Sequence, residues 1–238
     1  MAGFDLSKRE TREELTHRFF EGTGSSYDRV VAITTFGLDK RWKRRLLAHV
    51  PEEATAVLDL ACGTGIVTTQ IHEKVPQARI VGVDFTEEYL DVARTKFADI
   101  EADVTFVHSN AETMELDGRF DAVISSYLPK YVNPDALLER LEGHIEPGGI
   151  VALHDFDHPR VLIPRSHWRA HMWFLRVVGR LVFPAWNECL DRDLEVLIRE
   201  SHWVRRYREA LWRHGFEEVR RERLHYGTAA IVSARKPR

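Results

Sequence analysis

"AVLDLACGTGIVTTQIHEKVPQARIVGVDF", residues 56–85, runs from an apolar stretch through a small-residue turn into a helical pattern. It then reaches a second apolar stretch that ends on an acid, Asp84. Strand, glycine turn, helix and strand in this order predict a βαβ unit, the building block of a parallel sheet.

The same grammar continues downstream. AVLDL, a helix from about Ile66, RIVGVD, a helix over Glu87–Phe97 and VTFVHS come first. FDAVISSY, a helix over Pro134–Ile145, a Pro-Gly-Gly turn at 147–149 and IVALHDF follow. Right-handed crossovers make this a doubly wound, mainly parallel sheet. Its strands are almost continuously apolar, as strands covered on both faces are. Residues 160–214 break the alternation with a helical, aromatic and basic stretch. FEEVRRERL and GTAAIVSAR, joined by the short "HY" turn, then predict an antiparallel C-terminal hairpin, for seven strands in all. Upstream, Leu15, Phe19 and Phe20, then Trp42, Leu46, Leu47 and Val50, follow helical spacing. The expected layout is a helical segment over 1–50 covering the active site and an α/β domain over 51–238. A helical cap inserted at about 160–214 lies over the C-terminal ends of the strands, where open α/β sheets place ligands.

A length of 238 residues suits one sizeable core. The formal net charge of −3 gives no general argument for nucleic acid. Two cysteines, Cys62 and Cys189, build no disulfide framework. No apolar run reaches the ~18 residues of a membrane span, and no basic-then-apolar leader opens the chain, so the expected location is the cytoplasm.

The opening turn decides the ligand. A dinucleotide fingerprint wants glycine at three places, and Gly63 and Gly65 supply two, but the third position is Thr68. Asp59 ends the first strand just ahead of the turn, where a diphosphate would meet a carboxylate. S-adenosylmethionine carries a sulfonium and an ammonium and no phosphate, so an acid there suits it. Asp84 is placed to accept hydrogen bonds from ribose hydroxyls. HSNAE, residues 108–112, offers Asn110 and the Ala111 backbone to an adenine edge. As single residues these are ordinary turn glycines and helix N-caps; their joint order on three successive strand ends is what carries the reading.

With these motifs the sequence resembles the class I S-adenosylmethionine-dependent methyltransferases, and within them the ubiquinone/menaquinone-biosynthesis C-methyltransferases. SSYDRVVAITTFGLDKRWKR (25–44) is similar to that family's N-terminal signature, and VLDLACGTG, SNAE, FDAVISSY, EPGGIVALHDF and RHGFEEV follow in the family's order. The resemblance implies a Rossmann-like methyltransferase fold. It also implies S-adenosylmethionine as donor and S-adenosylhomocysteine as product. By resemblance Thr64, Asp84, Asn110, Ala111 and Ser126 fall on cofactor-contact positions. The full candidate donor set is Asp59, Ala61, Gly63, Thr64, Gly65, Asp84, Phe85, Asn110, Ala111 and Ser126. Departures cluster on the acceptor side: LPKYV (128–132) puts Lys130 where the family has arginine, and HDFDHP (154–159) replaces LEFSKP.

The expected acceptor is a quinone-type or other aromatic ring carbon; O- or N-methylation of a small molecule or lipid head group is the alternative. Carbon methylation of a phenol or quinol needs help in removing the hydroxyl proton. The candidates are His154 or Asp155 as base and Lys130 as the cation that holds the oxyanion. Tyr27, Tyr127, Tyr131, His158 and Trp168 are the expected substrate-side residues. HDFDH also has the residue types of a metal site. Neighbours along a strand point to opposite faces, however, so no metal is expected. HMWFLRVVGRLVF (171–183) carries Arg176 and Arg180 among bulky apolar residues. That pattern is compatible with peripheral membrane contact and an isoprenoid tail, as well as with plain packing. The remaining expectations are a small-molecule or lipid-quinone partner, no nucleic acid, and room for a homodimer.

Overall fold

The computed structural model describes residues 5–159, 162–190 and 192–238. Seven strands form one sheet: β1 (Ala56–Leu60), β2 (Arg79–Asp84), β3 (Val104–His108), β4 (Phe120–Ser126), β5 (Ile145–Phe156), β6 (Glu217–Leu224) and β7 (Ala229–Arg235). Their order is β3-β2-β1-β4-β5-β7-β6. The first five are parallel, and β7 enters antiparallel between β5 and β6. This is the doubly wound, seven-stranded architecture with an antiparallel C-terminal hairpin that the alternation predicts.

Ten α-helices are described. α1 (Arg9–Phe20), α2 (Tyr27–Thr34) and α3 (Leu38–Leu47) precede the sheet; α4 (Ile66–Lys74), α5 (Glu87–Phe97) and α6 (Pro134–Leu141) cross between strands. α7 (Leu162–Val182), α8 (Asn187–Leu190), α9 (Arg192–Ser201) and α10 (Trp203–Arg213) separate β5 from β6. The helix expected over 134–145 stops at Leu141 and tightens into one 3₁₀ turn, Glu142–His144. Asn133 starts it, its side chain accepting from the Asp135 and Ala136 amides. The Pro-Gly-Gly turn lies inside β5 rather than ahead of it. Phe120 pairs with Ile145 and Ala122 with Ile150, so the intervening residues bulge out of register. Glycine is required there, because a Cβ on Gly149 would stand 2.8 Å from the Glu146 carbonyl oxygen.

Period-two alternation divides the core between the two sheet faces. Leu58, Leu60, Val151 and Leu153 pack with α1, α6, α10 and the inserted helices, whereas Val57, Ile124, Ala152 and Ile231 pack with α3 and α4. α10 lies on the sheet itself: Trp203, Tyr207 and Leu211 are buried, and the Trp203 indole N–H donates to the Phe156 carbonyl at 2.6 Å. α7 buries Trp168, Met172 and Leu175 along one side and exposes Trp173, Val177 and Leu181 along another. The Arg180 side chain, half of the basic pair read in this helix, lies outside the described residues. No helix among the described residues is long and apolar enough to cross a membrane.

Candidate active site

The C-terminal ends of β1, β2, β3 and β4 meet in one cleft. After β1 the backbone turns through three left-handed residues, Ala61 (φ 53°), Gly63 (φ 56°) and Gly65 (φ 80°). Gly65 caps α4 at φ 80°, where a side chain would be strained, and an added Cβ would crowd that of Ala93 at 3.1 Å. Asp84, the last residue of β2, faces the cleft. One of its oxygens accepts from the Gly63 amide at 2.8 Å, the other from the Thr86 amide at 2.9 Å. Burial pushes this carboxyl above its ordinary range, and the amide donors pull it back. Ala61, Gly63, Phe85, Asn110, Ala111 and Ser126 also reach the cleft.

Three donor-side candidates stand behind that surface. Asp59 is fully buried, accepts from the Thr68 hydroxyl at 2.7 Å and has one oxygen without a partner. Burial raises its pKa to about 7. Thr68 thus fills the third glycine position of a dinucleotide turn with a hydrogen bond rather than a close backbone contact. Thr64 donates to Asp28, and Gly65 serves helix packing.

The sequence reading missed the roof. Arg9, Arg12, Glu13, Thr16 and Phe20 of α1 line the cleft; they fall on one helix face at spacings of three and four, a signal the sequence did contain. Arg12 makes a two-pronged bond to Glu112, 2.7 Å on each arm, with side-chain exposures of only 4% and 7%. Glu13 accepts from the Asn110 amide at 2.6 Å and lies 3.5 Å from Arg9. Both arginines of the cleft are therefore answered by glutamates, leaving Asp84 as its unmatched charge. A cationic sulfonium nucleoside fits this balance and a diphosphate does not.

Next to the donor loops the wall turns aromatic. Tyr27 and Tyr89 rings lie 5.1 Å apart, Phe20 and Tyr131 5.8 Å apart. Tyr127, just past β4, is held at φ 75°, a conformation costly for a bulky residue. Its hydroxyl donates to Asp39 at 2.7 Å, and Asp39 pairs with the buried Lys43 at 2.9 Å. Asp39 and Lys43 were not among the sequence candidates. Burial holds the Tyr27, Tyr127 and Tyr131 phenols well above their ordinary range, so they are neutral donors.

Lys130, His154 and Asp155 do not reach the cleft. Lys130 and Asp155 form a buried pair at 2.8 Å, with exposures of 3% and 0%. The same Lys130 ammonium donates to the Tyr127 carbonyl and lies 4.4 Å from the Tyr131 ring centre. His154 is on the opposite face of β5, packed between Trp42 and Tyr127. Its Nδ1 shares a 3.0 Å hydrogen bond with the Ser126 hydroxyl, and its Nε2 has no partner among the described residues. Burial, aided by Lys43 and Lys130, lowers its pKa to about 3.

A second cavity of about 430 Å³ opens on the far side of this wall. Tyr127 stacks on Phe156 at 5.0 Å, and Phe156 lines the second cavity with Phe36, Trp42, Trp168, His171 and Phe174. Trp168 is therefore on this side, with its indole N–H buried and without a partner among the described residues. His158 stands beside it at 6.3 Å, and Asp157 is taken by Arg221.

The fold, the acid at the end of β2 and the paired arginines define an S-adenosylmethionine-dependent methyltransferase. Residues 8–236 match the ubiE/COQ5 methyltransferase family, and the chain belongs to it. A demethylmenaquinone methyltransferase of Listeria monocytogenes serotype 4a (strain HCC23) is 29% identical over 222 residues, covering 89% of this chain and 91% of the relative. That of Oceanobacillus iheyensis is 26% identical over 237 residues, covering 95% and 97%. Among solved structures, the plantazolicin methyltransferase BpumL with S-adenosylhomocysteine superposes with a TM-score of 0.69 at 13% identity, covering 97% of both chains. The similarity to that structure lies in the fold.

Proposed function

We propose that this methyltransferase carries a methyl group from S-adenosylmethionine to a ring carbon of a reduced, demethylmenaquinone-like quinone, releasing S-adenosylhomocysteine. The observation that carries the reading is Tyr127, which lines the donor cleft and whose hydroxyl is bonded to a buried carboxylate, Asp39. When bound, the donor supplies an electrophilic methyl group on a sulfonium. A quinol carbon attacks such a centre as the ring hydroxyl loses its proton, so the wall needs a route for that proton.

Tyr127 receives the hydroxyl proton while passing its own to the Asp39 carboxylate, which is neutralised as it leaves its pairing with Lys43. The hydrogen on the methylated carbon leaves afterwards as a proton, which restores the aromatic ring. The aromatic wall aligns the acceptor and excludes water. Lys130, His154 and Asp155 act from behind it. The Lys130–Asp155 pair fixes the segment carrying Tyr127 and Tyr131, and His154 orients Ser126. The acceptor class is lipid-borne, and the reading includes peripheral contact with a membrane.

The test uses methyl-labelled S-adenosylmethionine and a chemically reduced, tail-less naphthoquinol. Label on a ring carbon, seen by NMR, is the expected result; label on oxygen, as a methyl ether, would overturn it.

A further inference from the structure

The outer surface over the second cavity is apolar where a free protein is ordinarily polar. Ile33 is 41% exposed, Phe36 64%, Trp173 64% and Leu181 74%. Arg169, Trp173, Val177 and Leu181 recur every four residues along α7, so they share one face. Phe36, just past the end of α2, packs beside that face, with ring contacts of 5.3 and 5.4 Å to His171 and Phe174 on the cavity side of α7. It also lines the second cavity, so surface patch and cavity are continuous.

The charges that α3 and α7 themselves carry are almost all basic, and the acids set against them, Glu222 on Arg45 and Glu195 on Arg176, are already paired. From Pro159 to Phe183 the sequence has no acid, and from Arg29 to Pro51 its single acid is Asp39, buried against Lys43 and Tyr127. Arg29, Lys40, Arg41, Arg44 and Arg169 are exposed and have no ion-pair partner among the described residues. On a chain of net charge −3 this is a local reversal. Exposed aromatic and aliphatic side chains ringed by unmatched cations form the surface that an anionic bilayer attracts, the apolar groups entering the acyl boundary and the cations meeting head groups.

We propose that the face formed by the end of α2, the solvent side of α3 and the outer side of α7 docks on an anionic membrane, from which the lipid-borne acceptor is delivered to the protein. The delivery rests on the quinone reading above; the docking does not.

Flotation of the full chain with phosphatidylcholine vesicles, alone or mixed with phosphatidylglycerol, tests it alongside turnover. The acceptor is either a soluble tail-less naphthoquinol or a long-tailed quinol embedded in the vesicles. The chain floats with the mixed vesicles at low salt and is released by high salt. Lys40→Gln with Arg44→Gln weakens binding roughly thirtyfold. Trp173→Glu with Leu181→Glu abolishes binding and turnover of the embedded acceptor. It leaves turnover of the soluble acceptor at the wild-type level, which also shows that the variant is folded. Wild-type flotation of the Trp173→Glu/Leu181→Glu chain would overturn the proposal, as would undiminished turnover of the embedded acceptor. A wild-type dimer in ultracentrifugation that this variant splits, with no vesicle binding by either, would assign the face to a second copy instead. If the wild type floats but methylates no quinol, the acceptor reading fails and the docking face stands.

Discussion

The donor side and the acceptor side of this molecule are built by opposite means. The donor side is a row of strand ends, each contributing a short stretch: Ala61 and Gly63 after β1, Asp84 and Phe85 at the end of β2, Asn110 and Ala111 after β3. The side proposed for the acceptor is assembled from residues far apart in the chain, with Tyr127 meeting Asp39 across 88 positions, and the roof of the cleft binds Arg12 to Glu112 across 100. Chemistry that must hold one cofactor sits on the rigid sheet. Chemistry that must suit a particular acceptor is placed on helices added before and after it.

The sharpest way to break this comparison uses two buried groups on either side of the wall. Asp59, raised to about 7, contributes stability below its ordinary pKa near 4 and loses it as pH rises through 7. His154, lowered to about 3, contributes stability above about 6.5 and loses it as pH falls through 3. At 1.36 kcal/mol per pH unit each spans up to roughly 4–5 kcal/mol, in opposite directions. In the wild type they offset each other. Urea unfolding of His154→Gln should show stability falling as pH rises from about 4 to 7, and Asp59→Asn should show it falling as pH drops over the same window. Parallel curves for both variants would mean that the two groups titrate together.

A smaller effect separates binding from turnover. Asp84→Ala should raise the S-adenosylmethionine Kd at least about a hundredfold by calorimetry, because it removes a charge-assisted acceptor and frees two loop amides. Tyr127→Phe and Asp39→Asn should each lower kcat by between ten- and a hundredfold, somewhat below the ordinary range for lost acid–base help, with the donor Kd unchanged. Loss of donor affinity in either would place the Tyr127–Asp39 link on the donor side instead. The smallest effect is at the roof: Glu13→Ala should change donor affinity only a few-fold, since the Arg12–Glu112 bond remains to hold α1.

These differences also explain what could be read from the sequence. The sheet and its order of elements were legible, because period-two and helical patterns are local. The donor turns were legible for the same reason, since glycine and acid stand within a few residues of each other. Two details failed locally: the Pro-Gly-Gly segment sits in a bulged strand, and the helix after Asn133 ends early. Lys130, His154 and Asp155 were found as a cluster, but sequence order does not disclose burial, and all three are buried without lining the cleft. Asp39 and Lys43 stand inside the N-terminal signature but received no site role, because an acid and a lysine four residues apart on a helix read as a solvated pair. Only the packing of α3 against Tyr127 turns them into a buried one.

The position of β7 has a consequence for how the chain is made. It lies between β5 and β6 and supplies hydrogen bonds to both, although it is the last strand in sequence. A nascent chain that has not yet delivered residues 229–235 leaves β5 as an open edge with both faces apolar, the arrangement most prone to join a neighbouring chain. Truncation there would not trim a border; it would unzip the molecule through its interior and cast β6 loose.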